Sequence, residues 1–210
     1  MKILELFSGT ESFSKVARER GHQCFTVDVE PSFKPDLVKD IMDLKIKDIP
    51  FEPDVIWSSP PCTTFSVASL RHYWVDGKPK NDKTIGGMMF VCKTLSLIKT
   101  LNPKFWFLEN PRGMLRKQWF MQGLQRNTVT YCQYGDFRQK PTDIWTNAGL
   151  IWTPRRVCKP GASCHESAKR GSDKGTQSIG GGGKNGSKLR SMIPRDLCLE
   201  IIKVLEKRFI

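Results

Sequence analysis

A chain of 210 residues has room for one domain with a real core, or one domain and an appendage, and excludes a larger multidomain assembly. Its formal net charge of +13 points to a polyanionic partner, nucleic acid or an anionic surface. Seven cysteines, an odd number without a framework spacing, exclude a disulfide scaffold.

With no signal-peptide pattern, those thiols predict a reducing, cytoplasmic setting. No apolar run approaches the roughly 20 residues that a membrane span needs, so no membrane is expected as a partner. Cys158, Cys164 and His165 crowd one stretch, but their spacing matches no paired-ligand pattern, and no metal is expected.

Residues 3–7 form an apolar run broken once, at Glu5, which suits a central strand. Ser8-Gly9-Thr10 follows, and Phe13, Val16 and Ala17 then recur at helical spacing up to Gly21. Strand, glycine turn and helix open a nucleotide-binding unit whose turn admits a ligand against the backbone. Glu11 stands where a second glycine of the full fingerprint would be. A second strand over 24–27 ends in Asp28-Val29-Glu30, an acidic edge suited to a ribose diol. Asp40-Ile41 falls in a mixed stretch read as a short strand or turn at the next carboxyl edge.

Residues 54–57 read as a buried strand that Ser58-Ser59-Pro60-Pro61 must stop, because proline donates no ladder hydrogen bond and fixes its own φ. Cys62 is thereby delivered just past a strand's carboxyl end, where open α/β sheets bind ligands. Residues 66–83 interleave Arg71, His72, Lys78, Lys80 and Lys83 with Tyr73 and Trp74, a composition suited to phosphate contacts and base stacking.

A helix is predicted over 86–101 on Met89, Cys92, Leu95 and Ile98. The strand over 104–108 ends in Glu109-Asn110-Pro111, stopped by its proline, so Cys62 and Glu109 should share one edge of neighbouring strands. A helix over 113–124, a strand over 128–132 and a strand through Ile144 and Trp145 complete the core. From Pro154 to Lys188 the composition turns to Gly, Ser, Lys and Arg, with Gly180 to Gly183 consecutive, and predicts a flexible basic loop. Leu197, Ile201, Val204 and Leu205 mark a closing amphipathic helix.

Taken together, Phe7-Ser8-Gly9-Thr10, Pro61-Cys62-Thr63-Thr64-Phe65-Ser66 and Glu109-Asn110-Pro111 resemble the cytosine-C5 DNA methyltransferases, in motif order and over most of the chain. The resemblance implies a doubly wound, Rossmann-like α/β fold of the S-adenosylmethionine-dependent methyltransferase type, with helices on both faces. It implies a catalytic domain over 1–150, the basic loop over 151–190 in place of a target-recognition region, and a C-terminal helix over 191–210. S-adenosyl-L-methionine is the implied methyl donor, held by Phe7, Ser8, Gly9, Thr10, Asp28, Val29, Glu30, Asp40, Ile41, Pro60 and Ser191. Cys62 is the implied nucleophile at cytosine C6, and Glu109 the acid beside N3. The target base must be turned out of the helix, because C6 is out of reach within the stack.

The chain departs from the family twice. Where two arginines usually follow a glutamine, it has Gln139-Lys140-Pro141-Thr142-Asp143, so Arg138 and Lys140 are the candidates for that contact. The recognition region is reduced to about residues 147–188, which predicts short or relaxed sequence specificity on double-stranded DNA. Three alternatives stay open on the residues alone. RNA could be the substrate; Ser59-Pro60-Pro61 resembles the start of the exocyclic-amino methyltransferase motif; and the chain could be an idle, nucleic-acid-binding homologue.

Overall fold

A computed structural model describes residues 1–167 and 186–209. The glycine run over 180–183 lies outside the described residues. Strand β1 (Lys2–Leu6) runs into helix α1 (Ser12–Glu19), followed by β2 (Gln23–Asp28), β3 (Leu37–Val38) and β4 (Val55–Ser58). A short helix α2 (Leu70–Tyr73) and a hairpin of β5 (Trp74–Val75) and β6 (Lys78–Pro79) precede the long helix α3 (Asp82–Leu101). Then come β7 (Phe105–Pro111), β8 (Arg126–Thr130), β9 (Pro141–Thr146), α4 (Gly186–Ser191) and α5 (Arg195–Glu206).

The main sheet has seven strands in the order β3-β2-β1-β4-β7-β9-β8. Its first five strands are parallel, and β9 runs antiparallel to both β7 and β8. The chain winds outward in one direction from β1 to β3 and in the other from β4, so the switch point lies between β1 and β4. Ligands of open α/β sheets bind at that crevice, outside the carboxyl ends of the strands.

Alternation along the buried strands divides the core. Ile3, Val55, Trp57 and Phe107 meet Phe13, Val16 and Ala17 of α1 and Leu197, Ile201 and Leu205 of α5 on one face. Leu4, Leu6 and Ile56 meet Leu97 and Ile98 of α3 on the other. The Phe13 ring stacks on Trp57 with centroids 4.5 Å apart, an aromatic pair worth about 1 kcal/mol beyond its burial. Helices cover both faces, as expected for a doubly wound sheet.

Five local expectations are corrected. Residues 113–124 form two 3-10 turns, Met114–Lys117 and Trp119–Met121, rather than a helix. The side chain of Gln118 donates to the carbonyl of Met114, and that of Gln122 donates to the carbonyls of Arg116 and Gln118, satisfying oxygens that a helix would have used. In α3 the buried stripe is Thr84, Gly87, Val91, Thr94, Leu97 and Ile98, whereas Met89 and Cys92 are exposed. This helix is long and apolar enough to cross a membrane by length and composition, contrary to the expectation that no such run exists; here it packs on the sheet. Pro111 does not stop β7 but closes it, paired with Thr142 of β9. Finally, Trp74 is buried with its indole N–H donating to the carbonyl of Thr64, so it is a core residue rather than a base-stacking platform. Arg71, His72, Lys78, Lys80 and Lys83 around it are exposed.

Glu5 is the polar break in β1, and its side chain faces the amino end of α1. Its carboxylate accepts the backbone N–H of Ser14 at 2.8 Å and that of Phe13 at 3.4 Å. Burial outweighs these hydrogen bonds and raises the carboxyl from 4.5 to about 7. Between those two values the folded chain keeps a proton that the unfolded chain has released, so stability falls as pH rises through the window, by about 3 kcal/mol in all. Glu5→Gln is therefore expected to match the parent near pH 5 and to exceed it by a few kcal/mol at pH 8. Urea melts at the two pH values test this; a difference independent of pH would remove burial as the cause.

Candidate active site

The turn after β1 places Phe7, Gly9 and Glu11 in the left-handed region, at φ 53, 46 and 54. Glu11 thus adopts the conformation for which glycine is the usual residue. Its carboxylate is held by Arg18 at 2.6 Å and by the Thr26 hydroxyl at 3.2 Å, contacts that a glycine could not make. Beside the turn lies a cleft of 280 Å³ lined by Gly9, Thr10, Glu11, Lys15, Ser32, Phe33, Lys34 and Lys188.

At the end of β2, Asp28 turns inward. It accepts the Gly9 N–H at 2.8 Å and the Glu30 N–H at 2.9 Å, which fixes the turn against the strand end. Glu30 is exposed and engages one oxygen, on the Ser32 N–H, a contact that holds its carboxyl below the usual range. Val29 is 61 % exposed between the two acids. Asp40 accepts the Met42 N–H, and the Ile41 side chain belongs to the core with Leu4 and Leu6. Ser191 is exposed on α4, the helix that also carries Lys188 into the cleft. The Ser8 hydroxyl is buried and has no hydrogen-bond partner among the described residues. A left-handed glycine turn, a strand-end carboxylate with a free oxygen and an orphaned buried hydroxyl together fit a nucleoside-bearing donor such as S-adenosylmethionine.

The loop carrying Cys62 leaves β4 at Ser58. Its course is fixed by Ser59 N–H donating to the Leu6 carbonyl at 3.2 Å, and by the Asn110 side-chain amide donating to the Pro60 carbonyl at 2.9 Å. The Cys62 carbonyl then accepts the N–H groups of Phe65 and Ser66, both at 3.0 Å, closing one tight turn. Phe65 is fully buried, while the Cys62 thiol is only partly covered.

Ser58 pairs with Leu108 across the parallel β4–β7 ladder, so Glu109 sits one residue beyond, at the same edge as the loop carrying Cys62. Glu109 is 5 % exposed and accepts the hydroxyl of fully buried Tyr131 at 2.8 Å. Burial, reinforced by Glu109, holds the Tyr131 phenol well above its ordinary value, so it stays a donor. The Lys140 ammonium lies 4.5 Å from the Tyr131 ring centroid and donates to the Arg190 carbonyl at 2.9 Å. Burial pushes the Cys62 thiol up; Lys140 pulls it down and Glu109 adds to the rise, so both charges bear on the sulfur.

Cys62 and Glu109 therefore lie at one edge of the sheet, with Lys140 over the ring of Tyr131, whose hydroxyl Glu109 accepts, while Arg138 makes contacts of its own. Its guanidinium pairs with Asp136 and donates to the Leu189 carbonyl at 3.0 Å. In the arginine register, Asp143 is fully buried and ion-paired with Arg116, and it also accepts the Thr128 hydroxyl at 2.8 Å. Reading along the chain missed Asn110 as the clamp on the nucleophile loop and Tyr131 as the partner of Glu109. The fold gathers Cys158, Cys164 and His165 with Cys132, all four donor atoms within 4.8 Å of one another, a set that the spacing along the chain does not show.

The sheet order and the site at its switch point define a Rossmann-like methyltransferase fold, and the solved structures agree. The Entamoeba histolytica methyltransferase EhMeth superposes with a TM-score of 0.52 at 14% identity, over 75% of this chain and 56% of its own. A Spodoptera frugiperda DNMT2 mutant gives 0.50 at 19% identity, over 79% and 57%. The chain spans little more than half the length of these structures. Residues 1–125 match the family model of the C-5 cytosine-specific DNA methylases, and the chain belongs to that family. It is 30% identical to a Frog virus 3 (isolate Goorha) protein named "Probable DNA (cytosine-5)-methyltransferase", over 96% of this chain and 99% of that one. It is 33% identical to the type II methyltransferase M.Bsp6I of Bacillus sp. (strain RFL6), over 52% of this chain and 32% of that one.

Proposed function

We propose that this chain transfers a methyl group from S-adenosylmethionine to C5 of a cytosine turned out of DNA, with Cys62 as the nucleophile. The observation that supports the reading is that Cys62, in the loop after β4, and Glu109, near the end of β7, lie at the same edge of two paired strands. Bound S-adenosylmethionine supplies an electrophilic methyl group, and the residues suited to hold it are Ser8, Gly9 and Thr10 at the turn and Glu30 at the β2 edge.

This chain's residues supply the rest. Cytosine C5 is too weak a nucleophile unaided, and addition of the Cys62 thiolate at C6 makes the ring an enamine with carbanion character at C5. Negative charge then builds toward N3, where the Glu109 carboxyl gives a proton or hydrogen bond, oriented by the Tyr131 hydroxyl. Lys140 favours the thiolate at the moment it is needed. Departure of the C5 proton to a base or water expels Cys62 and restores the ring. The exposed cations Arg71, His72, Lys78, Lys80 and Lys83 follow the nucleophile loop directly and suit phosphate contacts beside the extruded base.

Residues 151–190 stand in for a recognition region, and their Gly-, Ser- and Lys-rich composition offers few side chains suited to reading base edges. Incubation with labelled S-adenosylmethionine and either double-stranded DNA or RNA should label DNA alone. Bisulfite sequencing of DNA from expressing cells should then show methylation at a site of fewer than about four fixed bases. Labelled RNA without labelled DNA would overturn the substrate, and a long fixed motif would overturn the relaxed specificity.

A further inference from the structure

We propose that Cys132, Cys158, Cys164 and His165 form a structural zinc site that fastens the segment after β9 to the corner following β8. Cys132 lies in the 3-10 turn Tyr131–Tyr134, and the other three lie in the irregular stretch over 153–167. The thiols of Cys132 and Cys158 are 3.1 Å apart, those of Cys164 and Cys132 3.7 Å, and His165 Nδ1 is 3.6 Å from each of Cys158 and Cys164. A tetrahedral zinc with Zn–S of about 2.3 Å and Zn–N of about 2.0 Å requires edges of about 3.8 Å between sulfurs and about 3.5 Å from sulfur to nitrogen. Three of the four measured edges meet those values within about 0.1 Å. The fourth is shorter than a tetrahedral edge, and far longer than the roughly 2.05 Å of a disulfide.

The donor chemistry is that of zinc. Three thiolates and one imidazole make a soft, four-coordinate set with no open position, which is the structural rather than the catalytic type. Surrounding groups already orient the ligands. The Gln139 amide donates to the Cys158 sulfur at 3.3 Å and to its carbonyl at 3.2 Å, and the Cys158 N–H donates to the Thr130 hydroxyl at 3.0 Å. Gln133 donates to the Cys164 sulfur at 3.4 Å. N–H groups aimed at sulfur favour thiolates and are the usual outer partners of a metal-bound cysteine.

The bond network explains why a cross-link belongs here. The stretch over 153–167 has no regular structure and no strand ladder to hold it. A metal bound to three of its residues and to Cys132 anchors it next to Tyr131, the partner of Glu109. Binding converts each thiol to a thiolate and releases its proton to solvent, and His165 binds as the neutral imidazole.

The test uses the full chain purified under reducing conditions, measured for metal and then exchanged with cobalt(II). One zinc per chain is expected, and the cobalt form should show intense sulfur-to-metal charge transfer with tetrahedral ligand-field bands. Cys164→Ser alters an exposed ligand without disturbing the core, and should weaken zinc binding by about 100-fold or more and shift the cobalt spectrum. Gln139→Leu keeps all four ligands and should weaken binding by about 10-fold. Cys92→Ser, on the exposed face of α3, should bind as the parent does. A chain that takes up neither metal, a Cys132–Cys158 disulfide found in its place by mass spectrometry, or a Cys164→Ser variant with parental affinity overturns the site. None of these readouts depends on methyl transfer.

Discussion

Cys62→Ser is expected to abolish methyl transfer to DNA, by about 10⁴-fold or more, while leaving binding of S-adenosylmethionine within about twofold. Serine is close to isosteric at a partly covered position, so the fold should tolerate the exchange. What is lost is nucleophilicity, because an alkoxide is far harder to generate at neutral pH than a thiolate. A second readout isolates the covalent step. DNA carrying 5-fluorocytosine traps the adduct, since fluorine at C5 cannot leave as a proton does, and the parent chain should form a complex that survives denaturation. Transfer by the serine variant at the parental rate would take Cys62 out of the chemistry.

The same sulfur carries a pH signature. Burial raises the Cys62 thiol, Lys140 opposes the rise and Glu109 adds to it. Alkylation by iodoacetamide in the absence of substrate should therefore reach half its maximal rate above the ordinary thiol range. Lys140→Met should move that midpoint further up, and Glu109→Gln should move it down. Identical profiles for the three proteins would show that neither charge acts on the sulfur.

What could be read along the chain was what proline, glycine and apolar runs make local. The β1 run with its glycine turn and the β4 run stopped by Pro60 and Pro61 each carry their own boundary, and the β7 run lies where its pattern placed it although it continues to Pro111. Contacts between distant segments leave no such trace. Nothing in the order of residues says that Asn110 reaches the Pro60 carbonyl, that Tyr131 meets Glu109, or that Cys132 joins a cluster more than twenty residues downstream. Helix α3 shows why periodicity can point to the wrong stripe. Its apolar residues run nearly all round, and the buried line includes Thr84, Gly87 and Thr94; a Cβ at Gly87 would lie only 2.4 Å from the Thr64 hydroxyl in the loop after Cys62. Residues 113–124 were misread because two glutamines cap backbone carbonyls that an isolated helix would have kept.

Gly113→Ala is expected to cost about 3 kcal/mol of stability and a larger share of activity. Gly113 is extended, so the reason is proximity rather than a left-handed φ. A Cβ there would lie 2.0 Å from the Phe65 carbonyl oxygen and 3.3 Å from the Ser66 Cα. Both obstacles are backbone, so no rotamer change relieves them. This is also where the segments carrying Cys62 and Glu109 are joined: Met114 N–H donates to the Phe65 carbonyl at 2.8 Å, and Ser66 bridges to Gly113. Forcing that contact apart displaces the turn that presents Cys62 from the strand that presents Glu109, and an error of about 1 Å between reacting groups can cost about 100-fold in rate. Gly86→Ala, in α3 with open space around the position, is the matched control and should be neutral or stabilise by up to about 1 kcal/mol. Thermal melts and single-turnover rates on both variants separate the two effects. Donor binding at the glycine turn after β1 should survive in Gly113→Ala while transfer falls, whereas parental melting temperature and rate would mean that the loop and the strand are not tied at this point.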